Sequence, residues 1–387
     1  MLFGCATHSG TLEYAGCNPE LSYRSLGRTG LIVSEAGFGG YRVDAKIPEH
    51  CQALAYALRS GVNLIDTSAN YADGGSERLV GSVLTELVRA EVIRRQEIVV
   101  VSKGGYLQGE NYQISQEWQA EGRAFPDLVH YAEELEHCIH PDFLADQISR
   151  SIERLGIETI DCYLLHNPEY YLNWAEQQSI TRIDAQHEYL RRIRAAFIYL
   201  ETEVAKGRIS CYGISSNTFV SPQQEYNFTP LAKIWDLAVA ISPDHHFRVV
   251  EFPCNLFETG AITEANQPGS ESALAFAVRQ GLGVLINRPL NAIKGNQLIR
   301  LSEDVYKGNA AREAREFRKR VAALDGEWQS APSLRHLALQ ALRSTEGITT
   351  VLIGMRKLSY VDDVLQVLRK PCAVAERKSV WEQVQRV

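Results

Sequence analysis

The chain has 387 residues, 45% apolar and 22% charged, with a formal net charge of −7. This length admits one decorated α/β barrel or two domains, and the composition suits a globular protein with a normal core. The acidic balance argues against wholesale nucleic-acid binding, which needs a basic stripe, and with no run of ~18 apolar residues no membrane span is expected.

The first 21 residues lack a basic segment followed by an apolar one, so they do not read as a secretory signal; a flexible arm is expected. From Tyr23 to Val43, Gly27 and Gly30 bracket a turn, which predicts a hairpin. A strand starting at Ile32 should end at Gly39 and Gly40, where glycine permits close approach of a ligand or another backbone. Pro48 suits a first helical turn, Leu54 and Leu58 share a face, and Gly61 is a stop. Val62 to Asp66 reads as a strand, and Ser76 as the cap of a helix carrying Leu79, Val83 and Leu87. Ile98 to Ser102 is a continuous apolar strand. Residues 104–140 are polar and aromatic without a period, so a long insertion is expected, of the kind that tends to be functional.

A helix should open at Pro141 and bury Leu144, Ile148, Ile152 and Leu155 before Gly156. Ile160 to Leu165 reads as a strand, followed by a second insertion, 167–188, with Tyr170, Tyr171 and Trp174. Ile193, Ala196, Phe197, Leu200 and Val204 form a helical stripe that stops at Gly207. Ile209 to Ile214 is strand-like, 228–239 helical, Val249 to Phe252 a strand, 271–280 helical and Val284 to Ile286 a strand. Residues 291–331 read as a loop plus an exposed helix. Leu334, Leu337, Ala338 and Leu342 make another stripe, Thr350 to Ile353 is the last strand, and 371–387 is a C-terminal tail.

Eight short apolar strands thus alternate with helices, and near-continuous apolar strands joined by helical crossovers mean a parallel sheet. Eight repeats favour a single (β/α)8 TIM barrel over residues 22–370, with an N-terminal hairpin and three long loop insertions. The rival is an open dinucleotide-binding sheet, but no GxGxxG follows any strand. The eight cysteines include no CxxC pair, which fits reduced thiols in a cytoplasmic protein. His137, Cys138 and His140 match no common zinc spacing, so no metal is expected. His245, His246 and His336 read as surface or capping residues. Arg191, Arg192 and Arg194, and the run from Arg315 to Arg320, read as solvated helix faces.

Active groups of such a barrel come from loops at the C-terminal ends of strands. Asp66, Lys103 and His166 sit at three consecutive strand ends, with Tyr71 five residues past Asp66. Together they can perform proton transfer. A lysine ammonium lowers the pKa of a nearby phenol, a carboxylate holds the amine charged, and a histidine orients a substrate oxygen. This set can protonate a carbonyl oxygen as hydride reaches its carbon, or run the reverse. The aromatics Tyr106, Tyr112, Trp118, Tyr170, Tyr171 and Trp174 either wall the substrate pocket or form a satellite core.

The segments YRSLGRTGLIVSEAGFGG, NLIDTSANYADGGSE, VVSKGG and LLHNPE resemble the aldo-keto reductase family. The resemblance spans roughly residues 22–365 and implies a (β/α)8 barrel with catalytic Asp66, Tyr71, Lys103 and His166. It also implies NADP(H), in some relatives NAD(H), bound without a Rossmann domain, and an aldehyde or ketone, such as a sugar, as substrate. GISSN resembles the segment that bonds the nicotinamide carboxamide, with Ser215 aligned directly and Ser216 or Asn217 in the next role, and Gly39 and Gly40 at the cofactor end of the first strand. Glu251 stands where the family carries glutamine, and Asn287 where many relatives carry a stacking aromatic. Arg288, Pro289 and Leu290 follow, with Arg288 expected at the pyrophosphate. Gly354, Met355, Arg356, Lys357 and Asp363 fall where relatives grip the adenosine phosphate. The two adjacent cations favour a 2′-phosphate, hence NADP(H). An alternative from another class is a cofactor-binding regulatory or channel-associated subunit with little turnover. A metal-dependent barrel hydrolase fits poorly, because only His166 stands at a strand end.

Overall fold

The computed structural model describes residues 1–294 and 297–387; residues 295 and 296, inside the third insertion, lie outside the described residues. Eight parallel strands close a barrel: β1 (Ala36–Gly39), β2 (Leu64–Asp66), β3 (Val99–Gly104), β4 (Ile160–His166), β5 (Ile209–Ser215), β6 (Phe247–Pro253), β7 (Gly283–Asn287) and β8 (Thr350–Ile353). Each strand pairs with the next in sequence, and β8 returns to β1 through Val351 opposite Ala36. The fold is the (β/α)8 TIM barrel.

The strands are apolar along their whole length because both faces are covered. Leu64, Val99, Val101, Cys162, Leu164, Cys211, Val249, Leu285 and Leu352 fill the interior. Leu26, Leu31 and Val33 of the hairpin plug its floor. Gly27 has a φ of +51°, and a Cβ there would lie 2.2 Å from the Gly283 nitrogen, so the plug depends on glycine at that turn. With the floor closed, only the opposite mouth can admit a ligand. The outer faces pack on the helices, among them Gly75–Arg89, which buries Leu79, Val83 and Leu87.

Several expectations are corrected. The N-terminal segment is not a loose arm. It holds a helix, His8–Cys17, capped by Thr7 and anchored by the buried Tyr14. Its approach is pinned by backbone amides: Gly4 N–H donates to Glu158 at 2.8 Å and Ala6 N–H to Asp161 at 2.6 Å. Polar anchors leave no apolar period, which is why the pattern was silent. The C-terminal tail also packs, through helix Lys378–Val384. Its Trp381 is fully buried beside Trp328 and donates to Thr345 at 2.9 Å.

Barrel strand β1 begins at Ala36, because Ile32–Ser34 pairs with Tyr23–Ser25 and belongs to the hairpin. Ser76 does not cap its helix. Gly74 does, in a left-handed conformation, and Ser76 bonds Thr67 at 2.8 Å. The 104–140 insertion has structure of its own: helix Gly109–Ala120 and a three-stranded sheet of Tyr106–Leu107, Val129–Ala132 and Leu135–His137. Those strands are too short to show a period. The second insertion contains helix Tyr170–Gln177, and the following helix already starts at Arg182. In the third, Asn291–Lys294 pairs antiparallel with Gln297–Arg300, ahead of helix Gly308–Ala322. Arg191 and Arg192 are ion-paired to Glu188 and Asp127 rather than simply solvated. His245 is buried against Trp235 instead of lying at the surface.

Candidate active site

Asp66 ends β2, Lys103 lies near the end of β3, and His166 ends β4. Lys103 is wholly buried. Its ammonium bonds the Asp66 carboxylate and lies 3.3 Å from the Tyr71 hydroxyl. The Tyr71 ring also faces that ammonium, 5.0 Å from the ring centre, and meets His166 edge-on with centroids 5.7 Å apart. The four residues therefore converge. Tyr71 reaches the cluster because the loop after β2 turns sharply, with Ala72 and Asp73 at positive φ before Gly74.

A fifth group joins them. Glu251 on β6 places Oε2 3.4 Å from Lys103 Nζ. Its other oxygen accepts from Ser215 Oγ and from Asn287 Nδ2, both at 3.0 Å. Glu251, expected only at the cofactor contact, thus also belongs to the proton-transfer cluster. Neighbouring sheet register, Ser215 opposite Glu251, was the signal that could have found it.

The titrating groups feel burial first. Burial raises the Asp66 carboxyl to about 7; Lys103 works against that rise, and Glu251 adds to it. Burial pulls Lys103 down, but Asp66, Glu251 and Tyr71 outweigh it, and the amine ends above its usual value. One ammonium thus faces two carboxylates. Tyr71 departs from the sequence expectation of a lowered phenol: burial raises it, and Lys103 only partly offsets the rise against Asp66 and Glu251. Burial, then Lys103 and His137, hold His166 well below the usual histidine value, so its imidazole is neutral. His166 Nδ1 and Ser68 Oγ are hydrogen-bonded at 3.0 Å. When the Ser68 proton points to that nitrogen, Nε2 carries the ring proton and can donate.

The aromatics divide. Tyr106 stands edge-on to His166 at 4.7 Å, and Tyr170 follows at 5.0 Å from Tyr106, so these two line the mouth. Trp118 packs on Phe125 at the edge of the main core, and Tyr171 lies under Arg192. Sequence reasoning missed His137 here, whose Nε2 lies 2.8 Å from the His166 carbonyl and whose ring stacks on Tyr170. With Cys138 bonded to the Pro126 carbonyl and His140 capping helix Pro141–Leu155, that trio is occupied structurally.

The remaining candidates spread along one side of the mouth. Gly40 has a packing reason, since a Cβ would lie 2.6 Å from Ser76 Oγ and 2.7 Å from the Asp66 carbonyl. Gly39 abuts the Ile353 backbone in the same way. Ser216 turns inward to Thr229, and the Asn217 amide donates to Glu169 at 2.8 Å. Arg288 pairs with Glu258 at 2.7 Å and sits at a φ of +51°. Pro289 is buried, and the Leu290 carbonyl accepts from the Leu301 amide. Gly354 is exposed, whereas Met355 is fully buried and offers no side chain to a ligand. Arg356 and Lys357 have no ion pair among the described residues and lie just before helix Leu358–Leu368. Asp363 instead faces His336 at 3.0 Å and Arg335 at 3.6 Å, so it is engaged within the protein. Four buried polar atoms near the mouth lack hydrogen-bond partners among the described residues: Glu251 Oε2, Asn287 Oδ1, Glu169 Oε2 and Arg288 Nε.

A family model described as the aldo/keto reductase family matches residues 36–251, more than half of the chain, from the start of β1 to Glu251. The chain belongs to the aldo/keto reductase family. Among curated relatives of this aldo/keto reductase, the NADH-specific methylglyoxal reductase of Escherichia coli is 27% identical over 182 residues, 44% of this chain and 50% of that protein. The 6-dehydroglucose reductase of Novosphingobium aromaticivorans is 24% identical over 202 residues, 51% of this chain and 52% of that protein. The chain spans about half the length of the curated relatives it matches. A holo aldo-keto reductase from Bacillus halodurans superposes with a TM-score of 0.57 at 19% identity, covering 94% of this chain and 96% of that one. A thermostable aldo-keto reductase bound to the inhibitor epalrestat gives 0.59 at 15% identity, covering 95% and 99%. Identities that low speak to the fold alone. No helix among the described residues is long and apolar enough to cross a membrane.

Proposed function

We propose that this chain is an NADP(H)-dependent oxidoreductase that reversibly reduces an aldehyde or ketone, sugar carbonyls included, to an alcohol. The observation that carries the reading is the buried Lys103 ammonium between Asp66 and the Tyr71 hydroxyl. Tyr71 gives its proton to the carbonyl oxygen in reduction and takes it back in oxidation. Lys103 stabilises the phenolate that remains. In the tautomer in which Ser68 donates to Nδ1 rather than to Asn70, neutral His166 donates from Nε2 to the same oxygen and fixes its orientation. Tyr106 and Tyr170 exclude water from that side. The dinucleotide, when bound, supplies or accepts the hydride.

The residues present fit such a cofactor. Asn287 Oδ1, without a hydrogen-bond partner among the described residues, is an acceptor suited to an amide N–H, and Ser215 and Glu251 stand beside it, with Glu251 Oε2 3.4 Å from Lys103. Arg356 and Lys357, free of ion pairs among the described residues and at a helix start, suit a phosphate and support NADP(H) over NAD(H). Arg288 and the loop through Leu290 are assigned to the pyrophosphate side. The relatives named for methylglyoxal and 6-dehydroglucose both act on small carbonyl compounds. The protein is assigned to the cytoplasm, with a small-molecule carbonyl as its partner.

The test is Tyr71→Phe. NADPH absorbance is followed across a panel of aldehydes, ketones and sugars, and cofactor binding by fluorescence titration. Turnover should disappear while NADPH binding persists. Wild-type rates in the variant would refute the assignment, and cofactor binding by wild type without turnover on any substrate would favour a regulatory subunit.

A further inference from the structure

We propose that Glu251 is a positioning residue that sets the pH at which this site can work in the oxidising direction: as a second carboxylate on the single Lys103 ammonium, it holds Tyr71 as a phenol. The inference rests on the functional reading above and concerns the regulation of that same site.

Its basis is geometric. Lys103 Nζ contacts Asp66, stands 3.3 Å from Tyr71 and lies 3.4 Å from Glu251. Those two legs put the Tyr71 and Glu251 oxygens no more than about 7 Å apart. Ionised Asp66 alone balances the Lys103 charge; with Glu251 ionised as well the cluster is net negative, and a phenolate would be a third anion around one ammonium. Neutral Ser215 and Asn287, which hold Glu251 Oε1, bring no compensating charge. The other titrating groups around the cluster are His166, held neutral, the buried Cys162 thiol on β4, raised by burial, and the neighbouring Cys211 thiol on β5. β1 and β8 contribute no titratable side chain. Lys103 is thus the only cation facing the pair among the described residues.

Reduction starts from the phenol, so an ionised Glu251 leaves it intact. Oxidation starts from the phenolate, which Glu251 disfavours. A unit charge at about 7 Å, at an effective dielectric of about 20, moves a titration by roughly one to two pH units.

The experiment compares Glu251→Gln with wild type in two readouts. The first is the pH profile of alcohol oxidation and of carbonyl reduction. The second is the Tyr71 titration in cofactor-free protein, followed by NMR of ring-13C tyrosine and assigned with Tyr71→Phe. The expected result is that both the onset of oxidation and the Tyr71 midpoint fall by one to two pH units in Glu251→Gln. Unchanged midpoints, with Tyr71→Phe inactive, overturn the role of Glu251 and leave the functional reading standing. Full turnover in Tyr71→Phe overturns both. If Glu251→Gln does not fold, Glu251→Ala replaces it in both readouts: a Tyr71 midpoint lower by one to two pH units than in wild type supports the inference, and an unchanged midpoint overturns it.

Discussion

Replacing Lys103 with methionine removes the ammonium while keeping a side chain of similar length. Lys103 is fully buried and serves two buried carboxylates, Asp66 and Glu251. Breaking a buried ion pair by removing one partner costs about 3–5 kcal/mol, because a charge is left without water or counterion. Here the stranded acids can escape by binding protons, so the cost depends on pH. In the variant the Asp66 carboxyl, already raised to about 7 by burial, loses the ammonium that opposes that rise and moves further above its unfolded value of about 4. A raised acid contributes stability below its unfolded value and loses it as pH rises through the folded one, at about 1.4 kcal/mol per pH unit for each acid. Urea unfolding at pH 5, 6, 7 and 8 is the assay, wild type beside Lys103→Met at each pH. Asp66 already keeps its proton up to about pH 7 in wild type, so its share of the difference opens above that pH: the stability difference should be about 3–5 kcal/mol at pH 8 and smaller by at least about 1 kcal/mol at pH 6. A difference that stays flat with pH, or remains under about 1 kcal/mol at pH 8, would refute the claim that this ammonium neutralises two buried acids.

Arg356→Ala should raise the KM for NADPH roughly tenfold, the loss of one charge-assisted contact, and leave NADH nearly untouched; equal losses for both cofactors would remove the 2′-phosphate assignment. Glu169 is raised by burial to about 7, so its stability contribution is present below about 4.3 and lost as pH climbs through 7. Glu169→Gln should therefore gain on wild type by about 2–3 kcal/mol between pH 5 and pH 8 in chemical unfolding, and a constant offset would show that the carboxyl is not buried in the charged form. Trp381→Ala deletes a fully buried ring and its bond to Thr345, and should cost about 3–5 kcal/mol. A cost under about 1 kcal/mol would mean that the C-terminal helix is not docked.

The barrel was legible in the sequence because a strand buried on both faces must be apolar throughout, and eight such runs alternate with helical stripes. Asp66, Lys103 and His166 were legible for a related reason: a polar residue directly after a buried run stands where the strand leaves the core. What carries no local period stayed hidden. The helix His8–Cys17 docks through Tyr14 and backbone amides, and the short strands of the 104–140 insertion take their shape from one another. The electrostatics were also beyond reach. Tyr71 next to lysine suggested a lowered phenol, yet burial and two carboxylates reverse the sign. The pairing of Asp363 with His336, from separate helices, was likewise unreadable from the chain. Strand identity and the chemical type of each end residue are written in the order of the chain. Which charges share one low-dielectric space is decided only when β2, β3 and β6 bring Asp66, Lys103 and Glu251 together from opposite parts of the barrel wall.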